Sequence, residues 1–489
     1  MQTFPPSDDA NLIASDLERF YLDDKRRFWQ VSPACGARAT DKFRSPPSNA
    51  SPSHHSSRMI LRLPSLRFLC AVAVLAFGAL GAARAQTAAP VAFAARLDTA
   101  GRDTRLTFAL TDCVRVQAYV LDAPARVILD LSEVNFQIDP PAQSPAPRHG
   151  HAKPAAQGLA LSYRFGRLAA GKSRVVVDLA GPAEILSATC RPFDKTGGEL
   201  SLVLGRQSEA AFRAAAKAGA LQQAQAASAA EYAASAAEQA EISTAPPAAR
   251  PGAKPIIMLD PGHGGIDAGA HGPQQAVEKT VVLEFARVLA TKLRESGKYQ
   301  VVLTRDDDIF VPLNERVRLA RKAGADLFLS LHADALASEA ESVQGATIYT
   351  VSDRASDAEA ARIAEHENKA DSAAGLESRE DAGDVNDILF DLTRRETRAY
   401  SHIFAHSLVD YWKVAARLNK NPRRSAGFVV LKAPDVPSVL LELGYLSNRA
   451  DEAELLSPAW RDKAAAQVAK AVDGFFAARD APPSAPKTP

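Results

Sequence analysis

Ile256-Ile257-Met258-Leu259-Asp260-Pro261-Gly262-His263-Gly264-Gly265 and, further along, Leu327-Phe328-Leu329-Ser330-Leu331-His332-Ala333-Asp334 decide how this chain is read. In each, an apolar run of strand length breaks at a turn signal and a histidine, the pattern of a buried strand. A side chain at the end of such a strand has rigid support beside a loop, where open α/β sheets put their chemistry. Between the two, Glu278 opens an amphipathic helix whose apolar face runs Val282, Phe285, Leu289 and Leu293. Two imidazoles and a carboxylate from three separate elements match the His₂Glu donor set of catalytic zinc sites, which leaves a position for water. Taken singly, each has a plainer reading: a hydrogen-bonded histidine, a carboxylate at the positive end of a helix, or a glycine-rich tight turn. The run from Gly262 to Gly265 lacks the GxxxxGK[ST] spacing and the lysine of a phosphate loop. Together the three residues point to a metal.

Pro437-Ser438-Val439-Leu440-Leu441-Glu442-Leu443-Gly444-Tyr445-Leu446-Ser447-Asn448 reads as a further buried strand with one carboxylate in its apolar body. Burying an unpaired carboxylate is costly, so such a group is paired, protonated or functional. A glutamate beside a zinc-activated water can take its proton and deliver it to a leaving amine. The alternative is an ion pair with Arg305, Arg423 or Arg424.

In these four blocks (259–265, 278–279, 330–334 and 442–448, in that order) the chain resembles the zinc-dependent N-acetylmuramoyl-L-alanine amidases that cut peptidoglycan, over roughly residues 254–478. The resemblance implies an α/β domain with a central, mostly parallel sheet flanked by helices. It implies one Zn2+ held by His263, Glu278 and His332, with Glu442 as the catalytic acid/base. The implied reaction is hydrolysis of the amide joining the lactyl group of N-acetylmuramic acid to L-alanine of the stem peptide, in wall remodelling and daughter-cell separation. Arg423, Arg424 and Asn448 lie in matching segments and receive no role from spacing.

Upstream, Arg105–Leu110, Arg126–Leu131, Ser173–Leu179 and Glu199–Leu204 read as short strands between turn signals, as in a small all-β sandwich. This segment resembles the AMIN domain of periplasmic amidases of the AmiC type, associated with envelope targeting and peptidoglycan binding. The expected organisation is an extension over 1–58, a signal peptide over 59–85, the β domain over 90–206, an Ala/Pro-rich linker over 207–253, the catalytic domain over 254–480 and a disordered tail over 481–489.

With 489 residues and a net charge of +1, the chain has room for two or three domains and no electrostatic footprint for nucleic acid. From Met59, Arg62 and Arg67 precede an apolar run from Leu69 to Leu80 and an Ala83-Arg84-Ala85 cleavage pattern. That run is short for a span, so a removed signal with no stable membrane anchor is expected. The expected location is the periplasm, enriched at the division septum. Translation is expected to start at Met59. Export to an oxidising compartment permits a bridge between Cys113 and Cys190, and two free thiols are the alternative.

Residues 207–253 are alanine-rich without a consistent apolar stripe and read as a partly helical spacer with little to pack against. Residues 352–400 form an insertion with helical stretches near 358–370 and 387–408, on its plain reading a solvated surface hairpin. Periodic-pattern aside, the family resemblance implies that a glutamate here, Glu365 or Glu367, occupies the zinc position until a periplasmic activator of the cell-division machinery displaces it. The rival readings are a zinc endopeptidase of the stem peptide and a non-catalytic peptidoglycan-binding regulator. Intact ligands and Glu442 argue against the second.

Overall fold

Strict alternation, as in Arg105-Leu106-Thr107-Phe108-Ala109-Leu110, sends every second side chain to one sheet face and builds half-buried strands. The computed structural model describes residues 89–100, 103–138, 158–193, 197–241, 253–336, 343–376 and 388–479. The expected extension, signal peptide, proline-rich end of the linker and C-terminal tail lie outside these residues.

The first domain is all β. Its strands are β1 (Val91–Ala100), β2 (Asp103–Leu110), β3 (Val116–Leu121), β4 (Arg126–Ser132), β5 (Asn135–Phe136), β6 (Ala160–Ala169), β7 (Lys172–Leu179), β8 (Ala183–Pro192) and β9 (Gly198–Arg206). They form two sheets, β5-β1-β2-β9-β8 and β3-β4-β7-β6. Leu106, Phe108 and Leu202 from the first pack on Val127, Leu129, Val175 and Val177 from the second. The residues between, Ile128 and Val176, point to the outer face of the four-stranded sheet and are still fully buried. Cys113 and Cys190 are bridged, with Cα atoms 5.6 Å apart, joining the chain before β3 to β8.

The segment expected as a loose spacer begins as α1 (Glu209–Glu241), and its first turns belong to the β domain. Phe212 and Ala216, one helical turn apart, are buried in the sandwich core. One aromatic and a few alanines are a narrow stripe, too short to stand out in an alanine-rich run.

The second domain alternates strands and helices: β10 (Ile256–Pro261), α2 (Glu278–Glu295), β11 (Gln300–Leu303), α3 (Leu313–Ala323), β12 (Leu327–His332), β13 (Ala346–Val351), α4 (Ala358–Glu367), α5 (Ala370–Ala373), α6 (Ile388–Trp412), β14 (Leu418–Ala426), β15 (Ser438–Glu442), α7 (Arg449–Leu456) and α8 (Pro458–Arg479). The sheet runs β11-β10-β12-β15-β13-β14 and is mixed, parallel at every pairing except β13 with β15. Ile257, Leu259, Leu329 and Leu441 face one layer of α2, α6 and α8. Met258, Phe328 and Leu440 face the other, with α3 and α4. Continuous apolar runs are what a sheet covered on both faces requires.

The helical stretch expected near 387–408 continues beyond the insertion and packs into the fold. On α6, Phe404, Leu408 and Trp412 recur every helical turn and are buried in the main core, with Phe404 against Phe475 of α8. Among the described residues no helix is long and apolar enough to cross a membrane.

Candidate active site

The carboxyl ends of β10, β12 and β15 lie side by side, because the three strands pair in parallel. That register delivers His263 just beyond β10 next to His332 at the end of β12, with ring centroids 5.0 Å apart. It also sets Glu442 directly opposite His332. His263 adopts a left-handed backbone conformation, φ 57°, which few side chains other than glycine take up and which clusters at ligand clamps.

Glu278, the first residue of α2, is fully buried between the two rings. Its Oε2 lies 3.2 Å from His263 Nε2 and its Oε1 3.3 Å from His332 Nδ1. The backbone amides of Ala270 and Ala333 donate to Oε2 and Oε1, each at 2.8 Å, and fix the carboxylate. Gly269 allows this approach: its φ is +67°, and a Cβ there would lie 2.7 Å from both Glu278 Oε2 and His263 Cδ2. On the far side of the ring, His263 Nδ1 meets Asp267 Oδ2 at 2.8 Å. Asp267 is held below the usual carboxylate range because His263 overcomes the cost of its burial. A carboxylate only accepts, so Nδ1 carries the hydrogen and Nε2 faces Glu278.

The two candidate glutamates of the insertion part company. Glu367, at the end of α4, is buried with Oε2 3.1 Å from His332 Nδ1 and 3.6 Å from His263 Nε2. Glu365 is exposed and pairs with Lys369 at 2.7 Å. His263, Glu278, His332 and Glu367 thus offer four donor atoms within 4.8 Å of one another, a group that could hold a metal ion. His263 Nε2 and His332 Nδ1 are buried and make no hydrogen bond. Burial alone would strip protons from both rings. The Glu278, Asp267 and Glu367 carboxylates outweigh it at His263, and Glu367 and Glu278 do so at His332, which is pushed up to about 10. Such a cluster demands positive charge at its centre, and a divalent cation satisfies the same donors as two protons. The residues fit a metal.

Glu442 is fully buried. Its Oε2 accepts the Asp334 amide at 3.1 Å, while Oε1 has no hydrogen-bond partner. Burial pushes this carboxyl well above its usual range, against the pull of His332 and with the help of Asp334, Glu278 and Glu367. The arginines considered as its partners are engaged elsewhere. Arg305 donates to the carbonyls of Pro261, Gly262 and Lys279, and Arg424 pairs with Asp357 and Glu359, both at 3.0 Å. Arg423 lies against His406. Asn448 caps α7, accepting from the amides of Ala450 and Asp451.

The support beneath His263 went unread in the sequence. Asp260, fully buried, accepts from Thr304 Oγ1 at 2.6 Å, Arg316 at 2.8 Å and Ser330 Oγ at 2.7 Å. Arg316, also buried, donates in addition to the carbonyls of Pro261 and His263, each at 2.8 Å. A charge at the end of an apolar strand signals Asp260, whereas Arg316 sits in an ordinary amphipathic helix. Arg316→Met should lower unfolding stability by about 3–5 kcal/mol, read by urea denaturation, because it strands a buried charge. Burial works to raise the Asp260 carboxyl, but Arg316, Thr304 and Ser330 hold it below its ordinary value. A depressed carboxyl stabilises fully above its unfolded value near pH 4, and loses that contribution as pH falls through the folded one. Acidification below about pH 4 should therefore cost the wild type more than Arg316→Met. Equal acid sensitivity would remove this role.

The family described as N-acetylmuramoyl-L-alanine amidase matches residues 257–474. The chain is 39% identical to the N-acetylmuramoyl-L-alanine amidase AmiA of Escherichia coli (strain K12) over 232 residues, covering 47% of this chain and 79% of that relative. It belongs to the N-acetylmuramoyl-L-alanine amidase family. A second member of that family, the amidase AmiC of Neisseria meningitidis serogroup B (strain MC58), is 31% identical over 394 residues, 79% of this chain and 90% of the relative. The solved catalytic domain of the amidase CwlV from Bacillus (Paenibacillus) polymyxa var. colistinus is 26% identical, with a match covering 46% of this chain and 98% of that one and a TM-score of 0.32.

Proposed function

We infer that this family member is a zinc-dependent peptidoglycan amidase, hydrolysing the bond between the lactyl group of N-acetylmuramic acid and L-alanine of the stem peptide. The observation that carries the reading is the pair of buried ring nitrogens, His263 Nε2 and His332 Nδ1, that make no hydrogen bond yet converge with the Glu278 carboxylate, beside a Glu442 oxygen without a hydrogen bond at the adjoining strand end. His263, Glu278 and His332 would hold the metal. Bound zinc would supply Lewis acidity, lowering the pKa of water to about 7 and polarising a carbonyl. Asp267 holds the His263 ring in the tautomer that exposes Nε2, and the Ala270 and Ala333 amides hold Glu278. Glu442 accepts the proton of the attacking water. As the carbon–nitrogen bond breaks, it passes that proton to the alanine nitrogen, so the leaving group departs as a neutral amine. A carboxyl raised by burial is suited to both transfers.

Intact sacculi digested by the zinc-loaded chain should release stem peptides with a free alanine N-terminus by mass spectrometry, with turnover lost on chelation and regained with zinc. Shortened stem peptides would make it an endopeptidase. Wall binding without turnover, even for Glu367→Ala, would make it a non-catalytic regulator.

The enzyme is proposed to be exported to the periplasm through the signal from Met59, a reading supported by the Cys113–Cys190 bridge, since disulfides persist in oxidising compartments. The β sandwich is proposed to be an AMIN domain that concentrates the enzyme on the envelope, including the septum. The 394-residue match to the Neisseria relative supports this, being longer than a catalytic domain alone.

Glu367 is proposed as the residue that keeps the enzyme latent, occupying the donor position water needs until a periplasmic activator draws α4 away. Glu367→Ala should raise basal turnover about tenfold or more, since a ligand carboxylate is a strong competitor for one coordination position. Glu365→Ala should leave it unchanged. Equal activity in both variants and the wild type would dismiss the plug.

A further inference from the structure

The centre of the outer face of the β3-β4-β7-β6 sheet, made by Tyr119, Leu121, Ile128 and Val176, is apolar and buried, and part of its cover is the stretch that follows Glu367. Ala374 is fully buried against Tyr119, Leu121, Ile128 and Val176. Gly375, with φ +72°, lies so close that a Cβ there would come within 2.5 Å of Ile128 Cδ1. Around this contact, arginines from three strands reach backbone carbonyls. Arg126 donates to Ser372, Arg164 to Ala373 at 2.6 Å, and Arg174 to Ala374 and Gly375 at 3.0 and 3.2 Å. Gln223 of α1 adds a bond to Gly375 at 2.8 Å. The Ser372 carbonyl also accepts the Gly375 amide at 2.9 Å, whereas those of Ala373, Ala374 and Gly375, at and beyond the end of α5, lie where helix carbonyls lack an intrahelical partner.

The same sheet also grips the loop that carries His263. The amide of Ile266 donates to the Arg167 carbonyl at 3.2 Å, and Arg167 pairs with Asp307 at 2.6 Å. Ile266 and Phe310 join the same apolar cluster as Ala374. A Cβ on Gly166 would lie 2.5 Å from the Ile266 amide nitrogen, so strand and loop touch backbone to backbone. α4 itself is anchored in the catalytic core by Ala360, Ile363 and Ala364, by the Arg424 pairs with Asp357 and Glu359, and at its end by Asn368, which donates to the Gly427 carbonyl and accepts the Val429 amide.

We propose that the β domain is a clamp: its outer sheet face binds residues 372–376 and thereby holds α4 with Glu367 across the His263–His332 pair. The regulatory consequence rests on the plug reading of Glu367. Moving Glu367 off the histidines pulls on a segment tied to the β domain, so opening the site and releasing the clamp are linked. By linkage, any ligand that draws the β domain off residues 372–376 favours the open site, and displacement of Glu367 loosens the β domain to the same degree.

The test uses the full chain and two variants outside the catalytic and metal-binding residues. Arg164→Ala removes a donor from the β-domain side, and Gly375→Val drives a branched side chain into Ile128 from the segment side. Hydrogen exchange read by mass spectrometry over residues 358–376 should rise about tenfold in both, the effect of losing one hydrogen bond to a charged group. The β-domain strands should keep their protection, and basal turnover of the zinc-loaded chain should rise with exchange. Unchanged exchange over 358–376 in both folded variants overturns the clamp, even where Glu367→Ala activates and so supports the plug. Raised exchange in both, with Glu367→Ala inactive as a releaser, supports the clamp and retires the plug.

Discussion

Glu442→Gln is expected to leave zinc content at its wild-type level and to cut hydrolysis about 10²–10⁴-fold, the usual contribution of a positioned acid/base. The side chain is nearly isosteric, and an amide oxygen can still accept the Asp334 amide that Oε2 accepts now. Packing at the end of β15 should therefore survive, and the proton acceptor alone is lost. Metal analysis and muropeptide release on the same preparation separate the outcomes. A metal-free Glu442→Gln protein would make this residue a ligand and sink the acid/base role, and full turnover would exclude it from the chemistry.

His332→Ala should empty the site of metal and reduce turnover to background while leaving the β domain folded. The ring is one of two imidazole donors in a cluster otherwise made of carboxylates, so its loss leaves His263 alone to offset Glu278 and Glu367 and removes one of the three proposed ligands. Asp267→Ala should act more mildly, weakening zinc about 10–100-fold, because Asp267 only orients His263. Zinc retained by His332→Ala at full stoichiometry would overturn the proposed ligand set.

Much of the site was legible because its chemistry interrupts local patterns. A histidine closing an apolar run, a glutamate opening an amphipathic helix and a carboxylate inside a strand each break the run around them, and the parallel sheet gathers the three strand ends. Glu367 was legible only as one of two glutamates in a helix. Spacing two residues apart puts Glu365 and Glu367 on different sides of α4, and the sequence does not say which side meets the histidines. Asp267 and Arg316 stayed hidden because a polar residue in a turn or on an amphipathic helix is ordinary until its partner is known.

By itself, then, the sequence determined the two-domain order, the strand and helix types and the residues able to bind a metal, since these follow from periodicity and from donor chemistry over short stretches. It also read α6 as a helix, while the burial of Phe404, Leu408 and Trp412 against α8 came only with the fold. The tertiary structure alone decided that Glu367 rather than Glu365 reaches the histidines, and that the β sandwich grips the segment behind it. Arg164 and Ala373 are 209 residues apart in the chain, and their contact depends on two separately folded surfaces meeting. No local pattern encodes such a meeting, because an arginine on a strand looks the same whether it faces water or a neighbouring domain's carbonyl.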